Sequence, residues 1–246
     1  MLYVQVFYVI GNTGVGKTTL TSIIAYNLFL RNYQVGILDL TDRGKGYFFR
    51  FGACDFFALG EGSINIPNKL LVNLQDMAKY GNDTQDFLHT LPLMPGLKIC
   101  ISAPDSRDNK FTIAKSFIEK FQEYFDILFI EMEPPLQLLK TQITESLVRV
   151  MVICSDAQED WPGKDNQLLL KHSRTPRKVK VILNKQKEEL IAATKFIETN
   201  MIGVDYILPG DKDLLANTSV MEMCKHMATN RFLKKLIPLV NKILIV

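Results

Sequence analysis

The sequence has few of the features that mark secreted, membrane-spanning or metal-cluster proteins. Its four cysteines are scattered along 246 residues and form no Cys-x-x-Cys pair, so neither a zinc site nor an iron–sulfur scaffold within one chain is predicted. No apolar run reaches the length that a membrane-spanning helix needs. The first residues lead into strand-like sequence without a basic start or a cleavage site. These absences predict a soluble protein in a reducing, cytoplasmic setting.

The sequence also lacks a strong net charge and a visible interdomain linker. Its formal net charge is only +3, so contact with nucleic acid or an anionic membrane would require a local basic patch. Hydrophobic residues make up 47% of the chain. This length and composition suit one large α/β domain that covers residues 1–246.

The chain does contain a regular alternation of strand-like and helix-like segments. The strand-like segments are apolar runs at 3–10, 34–40, 97–102, 126–131, 148–154, 179–184 and 204–208. The helix-like segments begin at Lys17, Thr112 and Lys187, lie near 69–80 and 165–172, and include a long C-terminal stretch. Such alternation predicts an α/β fold with a mainly parallel twisted sheet and helices on both faces. Sites are then expected at the carboxyl ends of the strands.

A phosphate-binding motif follows the first strand-like segment. Residues 11–19 match Gly-x-x-x-x-Gly-Lys-[Ser/Thr] and precede a helical pattern, which is the context that this motif requires. Its glycines let successive N–H groups converge on a phosphate. Lys17 can reach the β- and γ-phosphates, Thr18 can ligate Mg²⁺, and Thr19 can donate to the α-phosphate. The predicted nucleotide-binding residues of this loop are Gly11, Asn12, Thr13, Gly14, Val15, Gly16, Lys17, Thr18 and Thr19.

Acidic residues end two of the predicted strands. Asp39 ends the run 35–39, and Glu131 ends the run 127–131, which is typical of a Walker B strand with Glu in place of the usual Asp. Carboxylates at neighbouring strand ends can hold Mg²⁺ beside a triphosphate. We therefore predict Thr18, Asp39 and Glu131 as metal ligands, with an ordinary solvated strand end as the alternative for each acid.

The order and spacing of these blocks resemble the ParA/MinD-type P-loop ATPases along nearly the whole chain. The matching blocks are the phosphate loop with its double threonine, 37–40, 131–135, 181–185 and 207–211. The resemblance implies that the chain binds ATP or ADP with Mg²⁺ and dimerises face to face across the nucleotides. It also implies that Asn184 reads adenine and that Pro209 and Asp211 lie beside the base. For Asn184, a turn residue that caps the next helix is the alternative.

Several positions depart from the family pattern. Asn12 stands where the family has a signature lysine that reaches across the dimer, and an asparagine cannot supply that charge. Thr41 aligns with the acid that orients the attacking water, although Asp42 is adjacent. Glu133 adds a negative charge in the switch after Glu131. Because loss of a transition-state charge slows phosphoryl transfer severely, we expect nucleotide binding with slow hydrolysis.

The resemblance implies an ATP-dependent dimerising switch that positions or partitions DNA or a cellular machine, with a protein partner that stimulates hydrolysis. The predicted catalytic residues are Lys17, Asp39 and Asp42. A competing interpretation is an inactive nucleotide-binding scaffold whose ATP state controls a protein interface. A metabolic ligase or an iron–sulfur carrier on the same fold is a third interpretation, which the missing paired cysteines and substrate-binding cluster disfavour.

Two segments are candidates for contact with DNA at the nucleoid or with a membrane surface. Segment 171–180 is the densest basic stretch and would bind the DNA backbone without sequence preference, with a solvated loop as the alternative. Segment 231–246 resembles the amphipathic membrane-targeting helix of MinD-like proteins, with a helix that closes the core as the alternative. Its apolar stripe consists of Phe232, Leu233, Leu236, Ile237 and Val240.

Segment 44–68 fits neither the helical nor the strand period and follows the second strand, where a mobile switch region is expected. Its aromatic residues would form either an interaction surface or core packing beneath a long loop. These residues are Tyr47, Phe48, Phe49, Phe51, Phe56 and Phe57.

Overall fold

The structure, a computed structural model, describes only part of the chain. The described residues are 4–41, 47, 50–51, 71–72, 89–91, 94–102, 110–132, 148–154, 179–186, 194, 197–198, 203–210, 219–225 and 230–244. The predictions for Asp42, Asp211, segment 165–172 and most of the basic stretch 171–180 lie outside them.

The described strands form one sheet that is parallel except at β4. Their bounds are β1 Gln5–Ile10, β2 Val35–Asp39, β3 Leu71–Val72, β4 His89–Leu91, β5 Met94–Ser102, β6 Ile127–Met132, β7 Val148–Cys154, β8 Val179–Gln186 and β9 Tyr206–Pro209. The order is β3-β5-β2-β6-β1-β7-β8-β9, and β4 pairs antiparallel with β5. The predicted α/β class with a mainly parallel sheet is therefore confirmed.

Helices cover both faces of this sheet. Among the described residues they are α1 Lys17–Phe29, α2 Lys110–Phe121, α3 Val220–Lys225 and α4 Arg231–Leu244, and a 3₁₀ turn at Gln122–Tyr124 extends α2. The helix predicted near 69–80 is wrong at residues 71–72, which form β3. These two residues pair with the end of β5, whose backbone groups would otherwise lack a strand on that side.

The core has one hydrophobic cluster on each face of the sheet. One cluster joins strand residues to α1 and α4, and the other joins the opposite strand residues to α2. Because side chains alternate along a strand, Asp39 lies on the same face as Ile37, and Glu131 lies on the same face as Phe129. Ile37 and Phe129 both belong to the cluster with α1. Both predicted acids therefore face the helix that follows the phosphate loop.

The C-terminal helix α4 belongs to the core. Phe232, Leu233, Leu236 and Val240 are each at most 2% exposed and belong to the cluster that contains α1. Asn230 accepts a hydrogen bond from the backbone N–H of Leu233 at 3.0 Å, which caps the start of the helix. Four of the five residues of the stripe predicted for membrane contact are therefore buried, as the core-closing alternative expects, and Ile237 is half-buried. Within the described part of the chain, no helix has both the length and the apolar character to cross a bilayer.

Candidate functional site

The phosphate loop joins β1 to α1 and has the backbone shape that its glycines predict. Gly14 and Gly16 have φ angles of 84° and 98°, in the left-handed region that glycine adopts without steric cost. Gly16 is also the N-cap of α1, so the partial positive charge of the helix N-terminus lies at the loop. A Cβ added at Gly14 would meet no atom within 4 Å. The loop is therefore open on the side of Gly14.

Lys17 is folded back onto this loop. Its ammonium group donates to the carbonyl oxygens of Gly11 at 2.7 Å and Asn12 at 2.9 Å, and the residue is only 6% exposed. The charge is therefore held inside the loop rather than in solvent. A phosphate that entered the loop would meet this charge together with the N-terminus of α1, which is the arrangement that binds anions at helix N-termini.

The two predicted acids lie side by side. Strands β2 and β6 are parallel neighbours, and Asp39 is in register with Glu131. The backbone N–H of Leu40 donates to the carbonyl oxygen of Glu131 at 2.8 Å, so the two strands remain paired past the acids. Asp39 and Glu131 are each 2% exposed. The alternative of solvated strand ends is therefore wrong for both residues.

Hydroxyl groups surround the two carboxylates. Thr18 donates to Oε1 of Glu131 at 2.9 Å, and the buried Tyr47 hydroxyl donates to Oε2 of the same carboxylate. Asp39 accepts two hydrogen bonds at Oδ1, from the backbone N–H of Thr41 at 2.8 Å and from the Thr41 hydroxyl at 2.6 Å. The site thus connects the start of α1, the ends of β2 and β6, and the segment after β2.

Burial changes the protonation of these groups. It raises the pKa of Asp39 to about 6, although the hydrogen bonds from Thr41 and the charge of Lys17 oppose the rise. Burial and then the charge of Asp39 raise the pKa of Glu131 to about 8. Burial and the nearby carboxylates raise the pKa of Tyr47 well above its ordinary value, so its hydroxyl remains a donor. Near neutral pH, the acid pair therefore holds a proton that a cation could replace.

The donor set at this site suits Mg²⁺ bound together with a nucleotide. Thr18, Asp39 and Glu131 offer only oxygen donors, which Mg²⁺ prefers, and Mg²⁺ is commonly held by one or two carboxylates plus substrate phosphates. No cluster of three or more His, Cys, Asp or Glu residues that could bind a metal alone occurs among the described residues. The residues present thus fit a metal that arrives with a triphosphate.

Asn184 lies inside β8, which continues to Gln186, so the alternative of a turn residue at position 184 is wrong. Its amide nitrogen donates to the carbonyl oxygen of Val15 at 2.9 Å, and the residue is 5% exposed. Pro209 ends β9 and is in register with Gln186. Asn184 is thus hydrogen-bonded to the phosphate loop. Its predicted contact with adenine stays a prediction, and so does that of Pro209.

The sequence does not single out Tyr47 as a hydrogen-bond donor to Glu131. Tyr47 belongs to the predicted group of aromatic residues, and the packing alternative is correct for Tyr47 and Phe51, which are 0% and 4% exposed. A usable signal was Glu131 itself, because a glutamate in place of the usual aspartate is longer and needs a hydrogen-bond donor farther from its strand. A tyrosine in the segment that follows the neighbouring strand is a suitable donor.

Comparison with known proteins gives matches to solved structures only. No protein-family model matches the chain, and no curated protein matches it. A chain of the MinC:MinD cell division complex from Aquifex aeolicus is 15% identical, with a TM-score of 0.67, and 98% of this chain and 96% of that chain are covered. The septum site-determining protein MinD of Pyrococcus horikoshii, complexed with Mg-ADP, is 14% identical, with a TM-score of 0.61 and coverages of 98% and 96%.

A ParA family ATPase from Chlorobium tepidum is 15% identical, with a TM-score of 0.58, and 96% of this chain and 98% of that chain are covered. Each match extends over nearly the full length of both compared chains, and the low sequence identities indicate wide divergence. The chain has the ParA/MinD-type fold of P-loop ATPases, in a divergent form.

Proposed function

We propose that the chain is an ATP-binding switch of the ParA/MinD type that dimerises when it binds ATP and hydrolyses ATP slowly. The observation that carries the proposal is the convergence of Lys17, Thr18, Asp39 and Glu131 at one phosphate loop. In this proposal, the loop and Lys17 bind the phosphates of ATP or ADP. Thr18, Asp39 and Glu131 hold Mg²⁺, and Asn184, Pro209 and Asp211 lie near the base.

The charges of the site support a nucleotide rather than a neutral ligand. The buried ammonium of Lys17 and the N-terminus of α1 favour an anion at the loop. The paired carboxyl groups of Asp39 and Glu131 favour a cation beside it. A triphosphate that carries Mg²⁺ satisfies both preferences at once, whereas a simple anion would leave the carboxylates without a counter-ion.

Slow hydrolysis is proposed because the position that the family uses to orient water is occupied differently. Thr41 stands at that position, is 7% exposed, and donates both its hydroxyl and its backbone N–H to Asp39. Its hydroxyl is neutral and lacks the negative charge with which a carboxylate would orient the attacking water. Asn12 also lacks the charge of the signature lysine. The predicted catalytic residues Lys17 and Asp39 would therefore act without the signature lysine and without a carboxylate at position 41.

The biological role proposed from the resemblance is the positioning or partitioning of DNA or of a cellular machine in the cytoplasm. A homodimer would form across the nucleotides, and a protein partner would stimulate hydrolysis. DNA contact through 171–180 remains part of the proposal. The second candidate is a nucleotide-binding scaffold that does not hydrolyse ATP. The observation that favours it is the pair of hydrogen bonds that Thr41 donates to Asp39.

A single-turnover ATP assay combined with sedimentation velocity, with and without DNA, tests these candidates. ATP-dependent dimers with slow turnover support the switch. ATP-bound dimers without turnover support the scaffold. Protein that stays monomeric and does not respond to ATP contradicts both. Lys115→Ala is a matched control for Lys17→Ala, because Lys115 is an exposed lysine on α2 that pairs with the exposed Glu119.

A further inference from the structure

Tyr47 is held firmly in the core beside the candidate site. Its ring is fully buried and belongs to the same hydrophobic cluster as Leu20 and Ile24 of α1. Its backbone carbonyl accepts a hydrogen bond from the N–H of Phe51 at 3.0 Å, and Phe51 belongs to that cluster too. Tyr47 and Phe51 are therefore both anchored in the core, which fixes the position of the Tyr47 hydroxyl.

This hydroxyl completes the hydrogen bonding of the Glu131 carboxylate. Tyr47 donates to Oε2, and Thr18 donates to Oε1 at 2.9 Å, so each oxygen has its own donor. A glutamate has one more rotatable bond than an aspartate, and its terminal torsion is broad. Without a donor at Oε2, the carboxylate of Glu131 could rotate away from Thr18. The bond from Tyr47 removes that freedom.

We propose that Tyr47 is a positioning residue for the Mg²⁺–nucleotide site, whose hydroxyl holds Oε2 of Glu131 so that Oε1 faces the Thr18 hydroxyl. Residues that hydrogen-bond a metal ligand orient that ligand, and their loss typically weakens metal affinity by about 10–100-fold. In this chain, Tyr47 compensates for the extra methylene that Glu131 has relative to aspartate. The inference rests on the proposed function and adds to it a residue that acts through Glu131.

The substitution Tyr47→Phe tests the proposal because it removes the hydroxyl and keeps the buried ring. Affinity for a fluorescent ATP analogue is measured while Mg²⁺ is titrated, and again in EDTA. We expect the Mg²⁺ concentration needed for half of the affinity gain to rise by about 10-fold or more, with no change in EDTA. A purely structural loss would lower affinity in both conditions.

Tyr8→Phe is the matched control. Tyr8 is also fully buried, but it belongs to the cluster on the opposite face of the sheet. Its substitution should leave both titrations unchanged.

The double variant Tyr47→Phe/Glu131→Ala tests whether Tyr47 acts through Glu131, because non-additivity measures coupling between contacting residues. In the Glu131→Ala background, Tyr47→Phe should cause no further loss.

A second measurement does not depend on the folding of any variant. In a structure of the wild-type protein with Mg²⁺ and an ATP analogue, the Tyr47 hydroxyl should remain within hydrogen-bonding distance of Glu131. Its departure from Glu131, or an unchanged Mg²⁺ titration in folded Tyr47→Phe, overturns the inference alone. Wild-type protein that binds no ATP analogue overturns the proposed function and this inference with it.

Discussion

Replacing Glu131 with glutamine removes one of the two buried carboxyl groups of the candidate site. The difference in the pH dependence of stability between this variant and the wild type then reports the proton that Glu131 holds. Burial, with the charge of Asp39, raises the pKa of Glu131 from 4.5 to about 8. Between these values, the folded protein keeps a proton that the unfolded chain has released. The stabilising contribution of Glu131 is therefore complete below pH 4.5 and is lost as pH rises through about 8.

The expected slope follows from the proton difference. The free energy of unfolding should fall by about 1.4 kcal/mol per pH unit wherever that difference is one full proton. The raised pKa of Asp39 adds a slope of the same sign between pH 3.8 and about 6. Glu131→Gln cannot titrate, so its stability should fall less steeply than that of the wild type across the upper part of this interval.

The assay is urea unfolding of nucleotide-free protein in EDTA at several pH values between about 5 and 8. Glu119→Gln is the control, because Glu119 is exposed on α2, and it should keep the slope of the wild type. Equal slopes for Glu131→Gln and the wild type, or a wild-type stability that rises with pH over this interval, would show that Glu131 does not hold this proton.

Two further predictions concern the phosphate loop and the C-terminal helix. Asn184→Ala should weaken the binding of inorganic triphosphate as well as that of ATP, because Asn184 holds the Val15 carbonyl; competition titrations check this, and unchanged binding of triphosphate would indicate that Asn184 acts on the base alone. Leu236→Ala should lower the free energy of unfolding by about 2–5 kcal/mol, because Leu236 is 1% exposed in the core. Urea unfolding beside the exposed control Lys234→Ala measures this loss, and equal stability of the two variants would contradict the packing of α4.

Most of the fold could be predicted from sequence because the central strands are mainly apolar. The run 35–39 corresponds to β2, and the run 127–131 lies within β6, Ile127–Met132. The short edge strands β3 and β4 could not be predicted in this way. Their two and three residues give no period, and they form because β5 offers backbone partners.

The candidate site was predicted in part. The motif placed Lys17 and Thr18, and strand ends marked Asp39 and Glu131, but the register that sets these two acids side by side depends on which strands become neighbours. Glu131 indicates that a donor is needed but does not identify Tyr47, because this hydrogen bond joins residues 84 positions apart. Contacts of that range depend on the packed core and are not encoded in local sequence patterns.

Nucleotide binding at the phosphate loop is tested by the calorimetric titration of Mg²⁺–ATP into the wild type, Lys17→Ala and Lys115→Ala. We expect saturable binding to the wild type and to Lys115→Ala. Loss of a buried, hydrogen-bonded charge should weaken binding to Lys17→Ala by on the order of 100-fold. Equal affinity of Lys17→Ala and the wild type, or no binding to the wild type, would contradict ATP binding at this phosphate loop.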